Sequence, residues 1–150
     1  MDTLIQGVEL TRLLVIDGNL GSVYHGLKKS EQSFCSFGEA YFSAINFGAI
    51  KGWKKHRKMR LNLIVPVGKV RFTVFDDRPA SDTNGSYFTC ILSTKENYAR
   101  LTIGPDLWVA FEGMELGLNL VLNIASIEHD PEEVEQTPID GGVISYPTNV

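Results

Sequence analysis

The chain has 150 residues, of which 43% are hydrophobic and 21% are charged, a composition typical of one folded domain and not of a disordered chain. Its net charge of −4 argues against a nucleic-acid partner, because proteins that bind nucleic acid usually carry a basic balance. The sequence shows no signal peptide and no run of about 18 apolar residues, so we expect a cytoplasmic protein without a membrane partner.

Short strands separated by turn residues recur along the chain. Segments rich in Val, Ile, Leu, Phe and Tyr predict strands at residues 39–45, 58–67, 69–76, 87–92, 99–103, 107–111 and 118–127. Gly, Pro, Asn and Asp lie between them, as turns require. In the third of these strands Val70, Phe72 and Val74 fall on one side, which predicts a strand with one buried face.

Helix is scarce. Residues 93–98 fit a single helical turn, and residues 130–136 fit a short helix that begins with Pro131 and acidic residues. Many short strands with little helix predict an all-β protein, either a sandwich or a barrel. The strand pattern alone leaves both architectures open.

A basic segment stands out against the acidic background. Six Lys or Arg residues and His56 lie between Lys51 and Arg60, which indicates an anion-binding site or, alternatively, a solvated edge strand protected by lysines. If residues 54–62 are extended, alternate side chains point the same way. We therefore expect one polar face made of Lys54, His56, Lys58, Arg60 and Asn62.

His56 is a candidate general base on that face. Neighbouring cations disfavour the imidazolium form, so the ring would be neutral near neutral pH and able to accept a proton. The cations Lys54 and Arg60 would also stabilise an oxyanion as it develops. The face therefore places a candidate base beside cations.

Several motifs, in order, resemble one protein family. The segments K-G-W-K-K-H-R-K-M at 51–59, L-N-L at 61–63, G-K-V-R-F at 68–72 and D-D-R at 76–78 are similar to the K-G-W-H-x-H-K-K-M…L-N…G-x-(I/V)-x…D-D-R block of proteins related to dTDP-4-dehydrorhamnose 3,5-epimerase. The segment at 104–111 and the N-I-A-S-I-E-H-D-P-E-E segment at 123–133 resemble later motifs of that family, the second being N-x-A-x-x-x-H-D-P-x-E. The resemblance covers about residues 37–146.

This resemblance implies a cupin-type (jelly-roll) antiparallel β-barrel, formed as a single domain over residues 1–150 and paired as a homodimer. It also implies a nucleotide-diphospho-sugar partner, with no metal and no other cofactor. The expected reaction is inversion at C3, C5 or both of a 4-keto-6-deoxy sugar. Because the C4 ketone acidifies those positions, a base, a group that holds the oxyanion and an acid on the opposite ring face suffice.

The resemblance also implies roles for individual residues. His56 matches the second histidine of the family motif and is the expected base, whereas Lys54 replaces the first. Lys54 could hold an enolate, bind the diphosphate, act as a base or mark a loss of catalysis. Tyr41 matches a strand tyrosine of related 3,4-ketoisomerases and is the expected acid, with His129 in reserve. From the residues themselves, the basic cluster predicts that a nucleoside diphosphate binds near Lys51–Arg60. Substrate-binding residues are expected at Lys51, Lys58, Arg60, Asn62 and Glu39.

Other residues are interpreted structurally. Cys35 and Cys90 lack metal-type spacing, so we expect buried thiols. Trp108 is expected in the core, and the acidic stretch at 128–135 on a solvated surface. The family's late aspartate has no counterpart near residues 137–138, where Asp140 is the nearest acid. A metal cupin needs a His-x-His ligand pair, and a protonated lysine in the first position cannot ligate.

Three functions are compatible with the sequence and the resemblance. The first is a C3 or C5 epimerase, and the second is a 3,4-ketoisomerase of the same substrates that would use Tyr41. The third is a non-catalytic protein that binds sugar nucleotides, in which Lys54 has replaced a needed histidine.

Overall fold

The computed structural model describes residues 4–148, which form an almost entirely β fold. In chain order the strands are β1 (Val8–Arg12), β2 (Val15–Ile16), β3 (Val23–Tyr24), β4 (Glu39–Ile45), β5 (Ile50–His56), β6 (Leu61–Val67), β7 (Lys69–Phe75), β8 (Tyr87–Ser93), β9 (Ala99–Ile103), β10 (Trp108–Gly113), β11 (Asn119–Ala125) and β12 (Val134–Gln136). Within these residues the one helical element is a 3₁₀ turn at Pro131–Glu133. The all-β prediction is confirmed.

Two five-stranded antiparallel sheets form the shell of the molecule. Sheet I has the strand order β1-β9-β6-β11-β4, and sheet II has the order β12-β5-β10-β7-β8. Strands that pair are mostly distant in sequence, so the chain crosses repeatedly from one sheet to the other, as in double-sheet jelly rolls and cupins. The predicted cupin-type barrel is confirmed.

Apolar side chains fill most of the space between the two sheets. Val70, Phe72 and Val74 on β7 are each 0% exposed, as their alternation predicted, and Leu101 and Ile103 on β9 meet them from sheet I. Burying apolar surface in this way stabilises the fold by roughly 25 cal/mol per Å² removed from water. This packing holds the two sheets in place, and the part of the interior that it leaves open is a cavity with one sheet on each side.

A second apolar cluster lies on the outer face of sheet II. Trp53 of β5 and Trp108 of β10 are buried there together with Ile144 from the C-terminal part of the chain, and Tyr146 packs against them. The core position expected for Trp108 is therefore confirmed. One face of β5 therefore packs against this apolar cluster, and its other face points to the interior of the molecule.

The predicted strand at 58–67 is wrong at its start. β5 ends at His56 and β6 begins at Leu61, with a turn between them. The carboxylate of Glu133 accepts the backbone N–H groups of Lys58 and Met59, which holds this segment away from any strand ladder. Glu133 lies 75 residues after Lys58 in the sequence. Its effect on this segment therefore cannot be predicted from the local sequence pattern.

Two helix predictions also need correction. Residues 94–96 form bends after β8, and residues 97–98 have no regular structure, so no helical turn forms. Asn97 has a φ of 56°, outside the helical region. The second segment begins as expected, with Asp130 Oδ1 accepting the N–H of Glu132 at 3.0 Å. It then continues into β12 instead of a longer helix.

The two cysteines are free, but the prediction that both are buried is wrong for one of them. Cys35 is exposed in the connection before β4, and Cys90 on β8 is half-buried. Burial raises the pKa of the Cys90 thiol to about 12, so this thiol is protonated and poorly nucleophilic at neutral pH.

Candidate functional site

A cavity of about 240 Å³ opens between the two sheets. Sheet I lines it with Tyr41, Ser43, Leu61, Leu63, Val121 and Asn123, and sheet II lines it with Lys51, Gly52, Lys54, His56, Val109 and Phe111. The two walls differ chemically. Sheet II carries the cations and the imidazole, whereas sheet I carries a phenol and an amide among apolar side chains. A ring bound between the walls would present a different face to each set of groups.

A bulge in β5 explains how the cations reach the cavity. Lys54 pairs with Val109 and Lys51 pairs with Phe111, so three steps on β5 match two steps on β10. The extra residue shifts the alternation, and both lysines face inward while Trp53 packs behind the sheet. Gly52 has a φ of +142°, and a Cβ there would approach the Cβ of Ala110 to 2.7 Å, so only glycine fits.

His56 is held by a buried carboxylate. Its Nδ1 lies 2.5 Å from Oε1 of Glu133, and the two residues are 7% and 3% exposed. Glu133 Oε2 also accepts the N–H of Lys58 at 2.9 Å. Burial opposes ionisation of Glu133, but the hydrogen bonds from His56 and from the backbone outweigh it, so the pKa of this carboxyl lies below its usual value.

The contact with Glu133 determines which nitrogen of His56 is basic. An ionised carboxylate can only accept hydrogen bonds, so Nδ1 must carry the proton. In the neutral ring Nε2 then has the free lone pair, and the His56 side chain lines the cavity. The same carboxylate would stabilise the imidazolium that forms when Nε2 takes a proton.

Glu133 is the residue that sequence reasoning missed. It lies in the acidic stretch expected on a solvated surface, and that expectation is wrong at this position because Glu133 is buried. Asp140, the acid suggested for the family's late aspartate, is exposed. A usable signal was present, since Glu133 occupies the final fixed position of the resembling motif N-x-A-x-x-x-H-D-P-x-E.

Lys51 connects the two walls at one side of the cavity. Its Nζ donates to Ser43 Oγ at 3.0 Å and to the carbonyl oxygen of Ala44 at 2.6 Å, both on β4. It also lies 5.9 Å from the ring centre of Phe111. Lys54 lines the cavity too, with an exposed side chain. Two lysine side chains therefore line the cavity together with the imidazole.

Tyr41 lies on the opposite wall. It pairs with Asn123 across β4 and β11, and Asn123 Nδ2 donates to the Tyr41 hydroxyl oxygen at 3.0 Å. Both side chains line the cavity. The structure thus brings Tyr41, Lys51, Lys54 and His56 to one cavity, and their roles stay predictions.

Five other predicted site residues do not line the cavity. These are Lys58, Arg60, Asn62, Glu39 and His129. The common face predicted for residues 54–62 is wrong because the chain turns after His56. Asn62 instead points away and accepts a hydrogen bond from the hydroxyl of Thr102 at 2.7 Å, while the His129 N–H donates to the carboxylate of Glu39 at 3.1 Å. Their roles toward a substrate remain predictions.

Metal ligands and membrane-spanning helices can be assessed over residues 4–148. In that part of the chain there is no group of three or more His, Cys, Asp or Glu side chains that could hold a metal ion. The same residues include no helix with the length and apolar character needed to cross a membrane.

Known proteins share this fold. No family model matches the chain. ChmJ, a 3'-monoepimerase from Streptomyces bikiniensis, superposes with a TM-score of 0.84 over 100% of this chain and 80% of that chain at 17% identity, a likeness that concerns the fold. A probable low-salt glycan biosynthesis epimerase of Haloferax volcanii is 28% identical over 106 residues, which are 67% of this chain and 66%, just under two thirds, of the relative.

The fold is that of the cupins that include dTDP-4-dehydrorhamnose 3,5-epimerases. A dTDP sugar isomerase from Desulfovibrio desulfuricans G20 is similar in sequence as well as in structure. It is 34% identical, with a TM-score of 0.88 over 91% of this chain and 87% of that chain. The chain belongs to this family of dTDP-sugar isomerases, and the family expected from the sequence is confirmed.

Proposed function

We propose that the protein inverts C3, C5 or both in a nucleotide-linked 4-keto-6-deoxyhexose. The observation that carries this proposal is the arrangement of the cavity, with the His56–Glu133 pair on one wall and the Tyr41 hydroxyl on the other. The similar ChmJ was solved in complex with dTDP-quinovose, and the similar Desulfovibrio protein is a dTDP sugar isomerase. These relatives favour a dTDP-sugar as the ligand.

The first step is removal of a proton beside the ketone. His56 Nε2 takes the proton from C3 or C5, the electrons of that C–H bond form the enolate, and Glu133 stabilises the imidazolium. Lys54 and Lys51 belong to the same strand as His56 and line the cavity, so they offer positive charge to the enolate oxygen or to the diphosphate. No electrons leave or enter the substrate, so no oxidant or reductant is required.

The second step returns a proton to the opposite ring face. The Tyr41 hydroxyl donates its proton to the carbon, and the O–H bond breaks as the C–H bond forms. The phenolate then takes a proton from solvent and the His56 imidazolium releases its proton to solvent, which restores both groups. Because Tyr41 belongs to sheet I and His56 to sheet II, donation and removal occur from opposite sides of a ring held between them. Opposite sides are the condition for inversion.

Incubation with dTDP-4-keto-6-deoxyglucose in D₂O tests the proposal. We expect deuterium at C3 or C5 and an inverted product, both followed by NMR. His56→Asn should abolish the exchange. If His56→Asn leaves the exchange intact while Lys54→Met abolishes it, the lysine is the base. If the unsubstituted protein binds the sugar nucleotide and exchanges nothing, the protein is a binding module and the epimerase proposal is wrong.

A second candidate function is 3,4-ketoisomerisation of the same substrates. It is favoured by the position of Tyr41, which the motif resemblance links to the ketoisomerases and which lines the cavity. It begins with the same deprotonation at C3 but moves the ketone from C4 to C3. NMR of the product separates the two, since an epimerase keeps the ketone at C4.

We further propose that the chain acts as a single cupin domain over residues 1–150, as a homodimer in the cytoplasm. Exposed apolar side chains on the β2–β3 hairpin and its turn, among them Ile16, Leu20 and Val23, support a contact with a second copy. Light scattering should give twice the chain mass of 16.7 kDa. A mass equal to one chain at micromolar concentration would contradict the dimer, and cell fractionation tests the compartment.

A further inference from the structure

We propose that Asn123 is a positioning residue for Tyr41, one that holds the phenol oxygen as an acceptor and so leaves the hydroxyl proton free to point at a substrate. The inference rests on the proposed function, because it requires Tyr41 to be the acid of an inversion. It adds a residue whose side-chain hydrogen bonds go to Asn62, Tyr41 and Met59, and not to His56 or Glu133, within residues 4–148.

The geometry of the pair starts in the strand ladder. Asn123 and Tyr41 face each other in the register of β11 and β4. Asn123 is 2% exposed, whereas Tyr41 is 41% exposed. The buried amide is therefore the fixed member of the pair, and the 3.0 Å contact from its Nδ2 holds the exposed phenol in place.

The amide of Asn123 can adopt only one orientation. Its Oδ1 accepts the backbone N–H of Asn62 at 3.2 Å. Turning the amide over would place its NH₂ group against that N–H, so two donors would meet in a buried position, at a cost of about 1–3 kcal/mol. Oδ1 must therefore face Asn62, and the NH₂ group must face Tyr41.

This orientation determines the direction of the Tyr41 proton. An amide NH₂ donates and cannot accept, so the phenol oxygen is the acceptor in the contact with Asn123. The phenol proton then points elsewhere, and the cavity is the space that both side chains line. After the proton has moved to carbon, the same N–H donor remains beside the phenolate and stabilises its charge.

Asn123→Asp tests the inference with little change of shape. One carboxylate oxygen still accepts the Asn62 N–H, but the other now accepts the Tyr41 proton and repels the phenolate. We expect inversion to slow by about 100-fold, while His56 continues to exchange substrate hydrogen with D₂O without inversion. The readout is the ratio of inverted product to deuterated but uninverted substrate.

A double-mutant cycle with Tyr41→Phe provides the control. If Asn123 acts through Tyr41, Asn123→Asp should change the inversion rate of the Tyr41→Phe protein by no more than about twofold. An equally large loss in both backgrounds would overturn the inference, because Asn123 would then act by shaping the cavity. If Asn123→Asp does not fold, Asn123→Ser, which is too short to reach Tyr41, must show the same change in ratio.

Failure of the proposed function has a different signature. In that case the unsubstituted protein produces neither inverted sugar nor deuterated substrate. The inference fails alone when the unsubstituted protein inverts the sugar and Asn123→Asp leaves the ratio of inversion to exchange unchanged.

Discussion

At the scale of single residues, the site depends on a carboxyl group removed from water. Glu133 accepts hydrogen bonds from His56 and from two backbone N–H groups, so each oxygen has a partner. Buried carboxylates are costly unless they are paired in this way. The pairing gives Glu133 two functions, one in the tautomer of His56 and one in the shape of the turn after β5.

Glu133→Gln should impair the reaction more than the fold. The amide preserves the size of the side chain but removes the negative charge that stabilises the imidazolium, so kcat should fall by at least about 100-fold. Steady-state kinetics with the 4-keto sugar measure the effect. Glu135→Gln is the matched control, because Glu135 pairs with the exposed Arg57 outside the cavity, and it should leave kcat unchanged. Equal losses in both variants would contradict the role of Glu133.

The stability of the protein at acid pH should depend on the same carboxyl group, that of Glu133. The pKa of Glu133 lies below its usual value of 4.5 in the folded state, so the unfolded state binds a proton more readily. Glu133 therefore contributes its full stability above the usual value and loses it as pH falls through the folded pKa. The free energy of unfolding, measured with urea from about pH 6 to about pH 3, should fall less for Glu133→Gln than for the unsubstituted protein. An identical pH profile would count against the assignment.

At the scale of elements, the connection from β7 to β8 is organised by one buried aspartate. Asp76 is 0% exposed and accepts from Arg78 Nε at 2.9 Å, Ser81 Oγ at 2.6 Å and Thr83 Oγ1 at 2.7 Å. Arg78 also donates to the carbonyl oxygen of Gln6. The hydrogen bonds from Arg78 lower the pKa of Asp76 well below its usual value, outweighing desolvation.

Asp76→Asn should therefore destabilise the protein without touching the cavity. It leaves the Arg78 guanidinium without its charge partner and should lower the free energy of unfolding by about 3 kcal/mol. Urea titration measures the loss, and Asp82→Asn in the same connection, at an exposed position, is the control. The prediction is contradicted if Asp76→Asn lowers the free energy of unfolding by less than Asp82→Asn does. It is also contradicted if the folded Asp76→Asn protein shows a large fall in kcat.

The elements also show where a sequence pattern is informative. The alternation of Val70, Phe72 and Val74 predicted β7 because one buried face forces a two-residue period locally. The turn after His56 was missed because Glu133, from the far end of the chain, imposes it. For the same reason the expected polar face failed beyond His56, and Lys58, Arg60 and Asn62 left the predicted set of cavity residues.

At the scale of the whole molecule, sheet II has two packed faces with different functions. Its inner face carries His56 and Lys54, and its outer face packs Trp53 and Trp108 against the segment that contains Ile144. These are the two tryptophans of the sequence. Indole fluorescence therefore reports the packing behind the candidate site.

Ile144→Ala should lower the free energy of unfolding by about 2–4 kcal/mol, the usual effect of emptying a buried aliphatic site. Ile144 is 4% exposed, whereas its neighbour Val143 is 90% exposed, so Val143→Ala is the control and should have little effect. Chemical unfolding followed by indole fluorescence measures both. Comparable values for the two variants would mean that the segment adds no stability to sheet II.

Only part of the candidate site could be predicted from the sequence. The reason is how far apart along the chain the contacting residues lie. Lys51, Lys54 and His56 lie on one strand and Tyr41 on a strand that a motif marked, so the sequence identified them. Asn123 and Glu133 appear in the sequence only as letters of a motif. Their contacts with Tyr41 and His56 span 82 and 77 residues, and such pairings depend on strand order, which no local pattern contains.

The distance along the chain between His56 and Glu133 also has a consequence for protein synthesis. A ribosome adds about 5–20 residues per second, so the 77 residues that separate the pair take several seconds to make. During that interval the nascent chain contains the base without its carboxylate and β5 without the apolar segment behind it. The cavity is therefore a late product of translation, and a transcript truncated before the codon for Glu133 encodes most of the strands but no paired imidazole.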